Sequence, residues 1–142
     1  MQPKNQVNIK DLYECSVQQI EYEQGLINNR ISWMLTFQGF LFGSMALVAS
    51  DNSAEVIRMT FKTIVPLLGI LTSSLAIVGI YASCLTIDAV RRRWKSHPNS
   101  CEYIATLGLS KASIAARITS YGIPASTIFA WLSIMAGLRN LT

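Results

Sequence analysis

Five consecutive residues, Arg91, Arg92, Arg93, Trp94 and Lys95, concentrate what capacity the chain has to recognise a ligand. Guanidinium groups grip phosphate oxygens in pairs, an ammonium adds a point charge, and an indole offers a face on which a base can stack. The run therefore suits a polyanion such as a nucleotide or a single-stranded oligonucleotide, with Arg91, Arg92, Arg93 and Lys95 as its phosphate contacts. A plainer use is open to the same residues. At a membrane boundary arginines pair with lipid phosphates, and a tryptophan settles among the headgroups and fixes orientation.

Catalytic chemistry has little to draw on. The chain holds one histidine, His97, next to Pro98, and neither an H-E-x-x-H pattern nor a glycine-rich phosphate loop. Glu21 and Glu23 are two residues apart, so a helix points them to different faces. Cys15, Cys84 and Cys101 are odd in number and far apart, which suggests reduced thiols and neither a disulfide framework nor a metal site. No enzyme activity and no cofactor are expected.

The elements that carry these residues follow from where charge is missing. Of 142 residues 51% are hydrophobic and 14% charged, against about 25% charged in soluble globular chains. Three windows, residues 31–50, 63–87 and 118–138, hold no charged side chain. Twenty helical residues at 1.5 Å each match the roughly 30 Å hydrocarbon layer of a bilayer. In that layer the backbone must satisfy itself, so each window is expected to be a spanning helix. The expected fold is an all-α integral membrane protein with three transmembrane helices. Residues 1–8 form a flexible tail without the apolar core of a signal peptide. Residues 9–30 form a helix in water, 31–50 the first span, 51–62 an external loop and 63–87 the second span. Pro66 is placed in the first turn of that second span, where its missing N–H costs little. Residues 88–120 form a basic cytoplasmic segment that breaks at Pro98 and Asn99, with a weak helix from Cys101 to about Ser120. Gly122 and Pro124 lead into a third span, 121–138, which is rich enough in serine and threonine that an interfacial helix is its alternative.

Tyr13, Val17, Ile20, Gln24, Ile27 and Ile31 recur at alternating steps of four and three, a heptad seam that continues through Met34, Gln38, Leu41 and Met45. The first span and the helix before it thus read as one rod. A seam that leaves the bilayer must be covered, either by the chain's own segment after Cys101 or by the same helix in neighbouring copies. Polar residues on a seam, here Gln24 and Gln38, tend to set register and oligomeric state. The sequence predicts a homo-oligomer, a tetramer as first expectation, with that seam as its interface. Gln38, with Met34 and Met45, is the candidate lining of a pore, and packing between helices is the alternative. Gly69-x-x-x-Ser73 and Gly79-x-x-x-Ser83 mark close helix approach in the second span. Six basic residues fall in 88–120, against Arg58 and Lys62 in the first loop, so positive-inside places the N-terminus and that segment in the cytoplasm of a bacterial inner membrane.

One resemblance adds to these readings. Tyr13, Ile20-Glu21, Asn29-Arg30, Trp33 and Gln38-Gly39-Phe40-Leu41-Phe42 form its first part. Gly69-Ile70, Ser73, Gly79-Ile80-Tyr81-Ala82 and Trp94 form the second, and Tyr121-Gly122-Ile123-Pro124 with Trp131 the third. Together they resemble small bacterial membrane effectors encoded beside nucleotidyltransferase-like genes in anti-phage defence, the Hailong-type effector nearest among them. The resemblance implies an oligomeric ion channel, held closed by a nucleic-acid signal from a nucleotidyltransferase-like partner, that depolarises the membrane and arrests growth when released. It supplies no ligand motif, so the assignment to Arg91, Arg92 and Arg93 rests on charge. The competing expectations are a non-conducting anchor that recruits a soluble partner through the N-terminal helix, and a toxin that merely disrupts bilayers.

Overall fold

The chain is described here by a computed structural model over residues 9–50, 55–96 and 110–139. The side chains of residues 49–50, 55–58, 110–113 and 138–139 are outside that description. The expected tail 1–8, residues 51–54 of the expected external loop, and the stretch 97–109 with His97, Pro98 and Cys101 also lie outside it. The described residues form three helices: α1 (Ile9–Ser50), α2 (Glu55–Lys95) and α3 (Ser110–Arg139). Each is long and apolar enough to cross a membrane.

The helices outrun the uncharged windows that predicted them. At 42 and 41 residues, α1 and α2 are each roughly 60 Å long, twice the hydrocarbon thickness. Three sequence expectations need correction here. Most of the expected external loop, from Glu55 onward, is the start of α2. Pro66 is accordingly not in a first turn but a dozen residues inside α2, buried against its neighbours. Gly122 and Pro124 do not precede a helix either; α3 runs unbroken through both. In lipid a helix keeps its geometry through such residues because no water competes for its carbonyls and neighbouring helices support the strand.

α1 and α2 pack antiparallel, and α3 lies antiparallel to α2. Tyr13 meets Trp94 at one end with ring centroids 5.4 Å apart. At the other end Leu41 and Val65 pack with Trp131, and Met45 and Ile70 lie against them. The heptad seam is what α1 presents to its own chain. Ile20 and Ile27 are buried with Ile80, Cys84 and Ile87 of α2, and Ile31 packs beside them. Val17 is half-buried, while Gln24 stays exposed at the edge. The seam expected to join copies is thus closed within the chain, and α2 rather than the segment after Cys101 is its main cover. Periodicity names a face that must be buried, and the helix next along the chain reaches it first.

A buried polar node ties all three helices at mid-depth. Gln38, 2% exposed, donates from Nε2 to the carbonyl of Gly69 (2.8 Å), Ser73 Oγ (2.9 Å) and Thr72 Oγ1 (3.0 Å). Its Oε1 accepts from Trp131 Nε1 at 2.6 Å, and Ser73 in turn bonds Thr127 at 2.8 Å. The Trp131 indole stacks on Phe42, 4.2 Å away and 3° from parallel. Gly69 has to be glycine, since a Cβ there would overlap that indole. Other hydroxyls in the spans, Thr36, Ser74, Thr86 and Ser133 among them, donate to carbonyls of their own helix and so need no outside partner.

Interhelical hydrogen bonds in membranes contribute about 0.6 kcal/mol on average and up to about 1.7. A double-mutant cycle of Gln38→Leu and Trp131→Phe, read by unfolding of the purified chain in mixed micelles, is expected to give a coupling at the upper end of that range. Additive effects would show that the node is not a unit.

Candidate functional site

Beyond the uncharged windows the three helices continue together as a polar end. Its boundary is marked by Arg30, whose guanidinium donates from Nη1 to the Gly79 carbonyl and to Ser83 Oγ, both at 2.6 Å. Gly79 makes room for it: the Arg30 side chain lies 3.0 Å from where a Cβ would stand. A long basic residue at the edge of the hydrocarbon thereby satisfies itself on the second helix. Above it Arg117 of α3 pairs with Asp88 of α2, the two side chains 38% and 33% exposed.

The helices leave space around the second of these ties. A cleft of about 280 Å³ opens there, lined by Gln24, Ile27 and Asn28 of α1, Cys84, Ile87 and Arg91 of α2, and Ala116, Arg117 and Ser120 of α3. Its lining is apolar at Ile27, Cys84, Ile87 and Ala116 and otherwise amide, hydroxyl and guanidinium; among the described lining residues there is no carboxylate, and Asp88 enters only as the partner of Arg117. Such a concave site can take one anionic group between two arginines, with side-chain amides to orient it.

The basic run is placed differently from its expected form. It is the last turns of α2, so its members fan out around a helix. Arg91 turns inward and is half-buried in the cleft wall, whereas Arg92, Arg93 and Lys95 are exposed. Cations in a last helical turn are also favoured by the carbonyl end of the helix dipole. Trp94, expected to stack a base or sit among lipid headgroups, is 3% exposed beneath Tyr13 and is available for neither. The expected pore lining is corrected too. Gln38 and Met34 are buried and Met45 is half-buried, all on the inner face of a single chain's bundle.

Sequence reasoning missed Arg117, Gln24, Asn28 and Ser120 as neighbours of Arg91. Only the small-x-x-x-small pairs hinted at the arrangement, because Gly69 and Ser73 receive Gln38 while Gly79 and Ser83 receive Arg30. Among the described residues no group of histidine, cysteine and carboxylate side chains could hold a metal ion. No family model, no curated protein and no solved structure matches this chain.

Because Asp88 and Arg117 are partly exposed, their pair is expected to stabilise the polar end by about 1 kcal/mol or less. Asp88→Arg alone should lower the unfolding midpoint, and Asp88→Arg with Arg117→Asp should recover most of it in low salt. An unchanged single variant would show that the pair holds nothing.

Proposed function

We propose that the chain is one subunit of an oligomeric ion channel in a bacterial inner membrane, with its polar end in the cytoplasm. In this reading it is the effector of an anti-phage defence system, held closed by an oligonucleotide from a nucleotidyltransferase-like partner. Its release depolarises the membrane and arrests growth. The observation that carries the channel reading is the outer face of α1. Gly25, Asn29, Ser32, Thr36, Gly39 and Gly43 recur at steps of four and three, all exposed, on the side of the helix opposite its packing seam. Nothing lies within 4 Å of a Cβ added at Gly25, Gly39 or Gly43. Small residues on a lipid-facing helix permit close approach of a second backbone. Copies of α1 gathered on this face would present Ser32 and Thr36 along a shared axis.

The continuity of the helices supports control from the basic end. With α1 and α2 unbroken between the cleft and the spans, a ligand at Arg91, Arg92, Arg93 and Lys95 acts on the same rods that cross the lipid. Moving a gate from mostly closed to mostly open needs a preference of roughly 5 kcal/mol between states, which several arginine–phosphate contacts per oligomer can supply.

Expression of the chain alone should collapse the membrane potential, followed with a voltage-sensitive dye. Gly39→Ile with Gly43→Ile should abolish both depolarisation and self-association, leaving insertion and unfolding midpoint intact because both sites are open. Arg91, Arg92 and Arg93 changed together to alanine should leave conduction and weaken its inhibition by the partner. Full insertion with no change in potential would favour a non-conducting anchor.

A further inference from the structure

We propose that the cleft between the three helices is a binding site for a single phosphate group, with Arg91 as its principal ligand and Gln24, Asn28 and Ser120 as hydrogen-bond partners. The proposal refines the ligand control suggested above, but it concerns one pocket rather than the whole basic run, and it is read by binding alone.

Three observations converge on it. The first is chemical: the described lining supplies two guanidiniums, two amides and a hydroxyl, and no carboxylate is among those described residues. Arg117 is partly committed to Asp88, which holds its guanidinium in place at the rim. The second is geometric. Gln24 and Asn28 are four residues apart on α1, so both amides stand on one face, across from Arg91 on α2 and Ser120 on α3. A group bound there touches all three helices. The third is depth. Asn28, Cys84 and Ser120 lie within about one turn of the Arg30–Ser83 tie at the edge of the uncharged windows. The pocket therefore stands at the edge of the uncharged windows, where lipid headgroups are expected, and Ile27, Cys84 and Ile87 give it an apolar part.

A phosphate at this level can belong to an anionic lipid or to a soluble nucleotide, and the chemistry of recognition is shared. About 280 Å³ accommodates one phosphate and its immediate ester, and is too small for an oligonucleotide. Arg92, Arg93 and Lys95 point away from it and remain for longer-range attraction.

The test uses the full chain purified in dodecyl maltoside. One arm adds phosphatidylglycerol and counts retained lipid by native mass spectrometry. The other adds adenosine monophosphate and measures affinity by calorimetry. Arg91→Gln is expected to weaken whichever ligand binds by tenfold or more, and Asn28→Asp, which keeps the amide's size and puts a negative charge in the pocket, by a similar factor. Lys62→Gln removes one positive charge near the opposite end of α2, away from the cleft, and should change affinity less than twofold. Binding in the lipid arm alone identifies a headgroup site, and binding in the nucleotide arm identifies a soluble ligand. Equal losses for Arg91→Gln and Lys62→Gln, or no saturable binding in either arm, would overturn the proposal. Should Arg91→Gln not fold, Asn28→Asp decides. Because neither arm measures conduction, a silent channel assay leaves the site standing.

Discussion

A carboxamide in lipid has nowhere to turn but to protein, and that constraint organises this chain. Gln38 sits inside the uncharged window 31–50, and each of its polar atoms is answered: the amide by Gly69, Thr72 and Ser73, the carbonyl by Trp131. The hydrophobic effect cannot draw helices together in a bilayer, since the tails are as apolar as the side chains. Unmet hydrogen bonds and shape can. The glycine at 69, the stacked pair Phe42 and Trp131 and the serine–threonine bond behind them are arranged around that one side chain. Arg30 repeats the logic at the boundary on Gly79 and Ser83.

Six of the residues quoted for the resemblance have a common task in the structure. Arg30, Gln38, Gly69, Ser73, Gly79 and Trp131 all belong to these two ties. These residues lock the helices, and the surfaces proposed for function, the cleft and the back of α1, lie apart from them.

Much of the architecture was legible because it depends on composition. Where charge disappears for twenty residues a helix crosses, and where apolar side chains recur at three and four a face is buried. Both followed from α1 directly. What covers that face did not, since Tyr13, Ile20 and Ile27 show the same spacing whether they meet Trp94, Cys84 and Ile87 or another copy. Helix ends were misjudged for a related reason. Charge marks the edge of the hydrocarbon, and at the end that holds Lys95 the helices are stabilised past that edge by one another, through Tyr13 with Trp94 and Arg117 with Asp88. The cleft was hidden because it is assembled from three segments up to 96 residues apart, and because a run of four basic residues looks like one site when written on a line. Winding it into a helix gives Arg91 a different neighbourhood from Arg92 and Arg93.

The distance in sequence between Gln38 and Trp131 has a bearing on biogenesis. A chain emerging from the ribosome delivers α1 and α2 to the insertion machinery well before α3 is made. The hairpin can satisfy the Gln38 amide at once on Gly69 and Ser73, but its carbonyl must wait 93 residues for the indole that closes it. Until then an acceptor faces lipid. The last helix therefore acts as a keystone, and a nascent hairpin lacking it exposes the kind of polar defect by which membrane quality control could distinguish unfinished chains from finished ones.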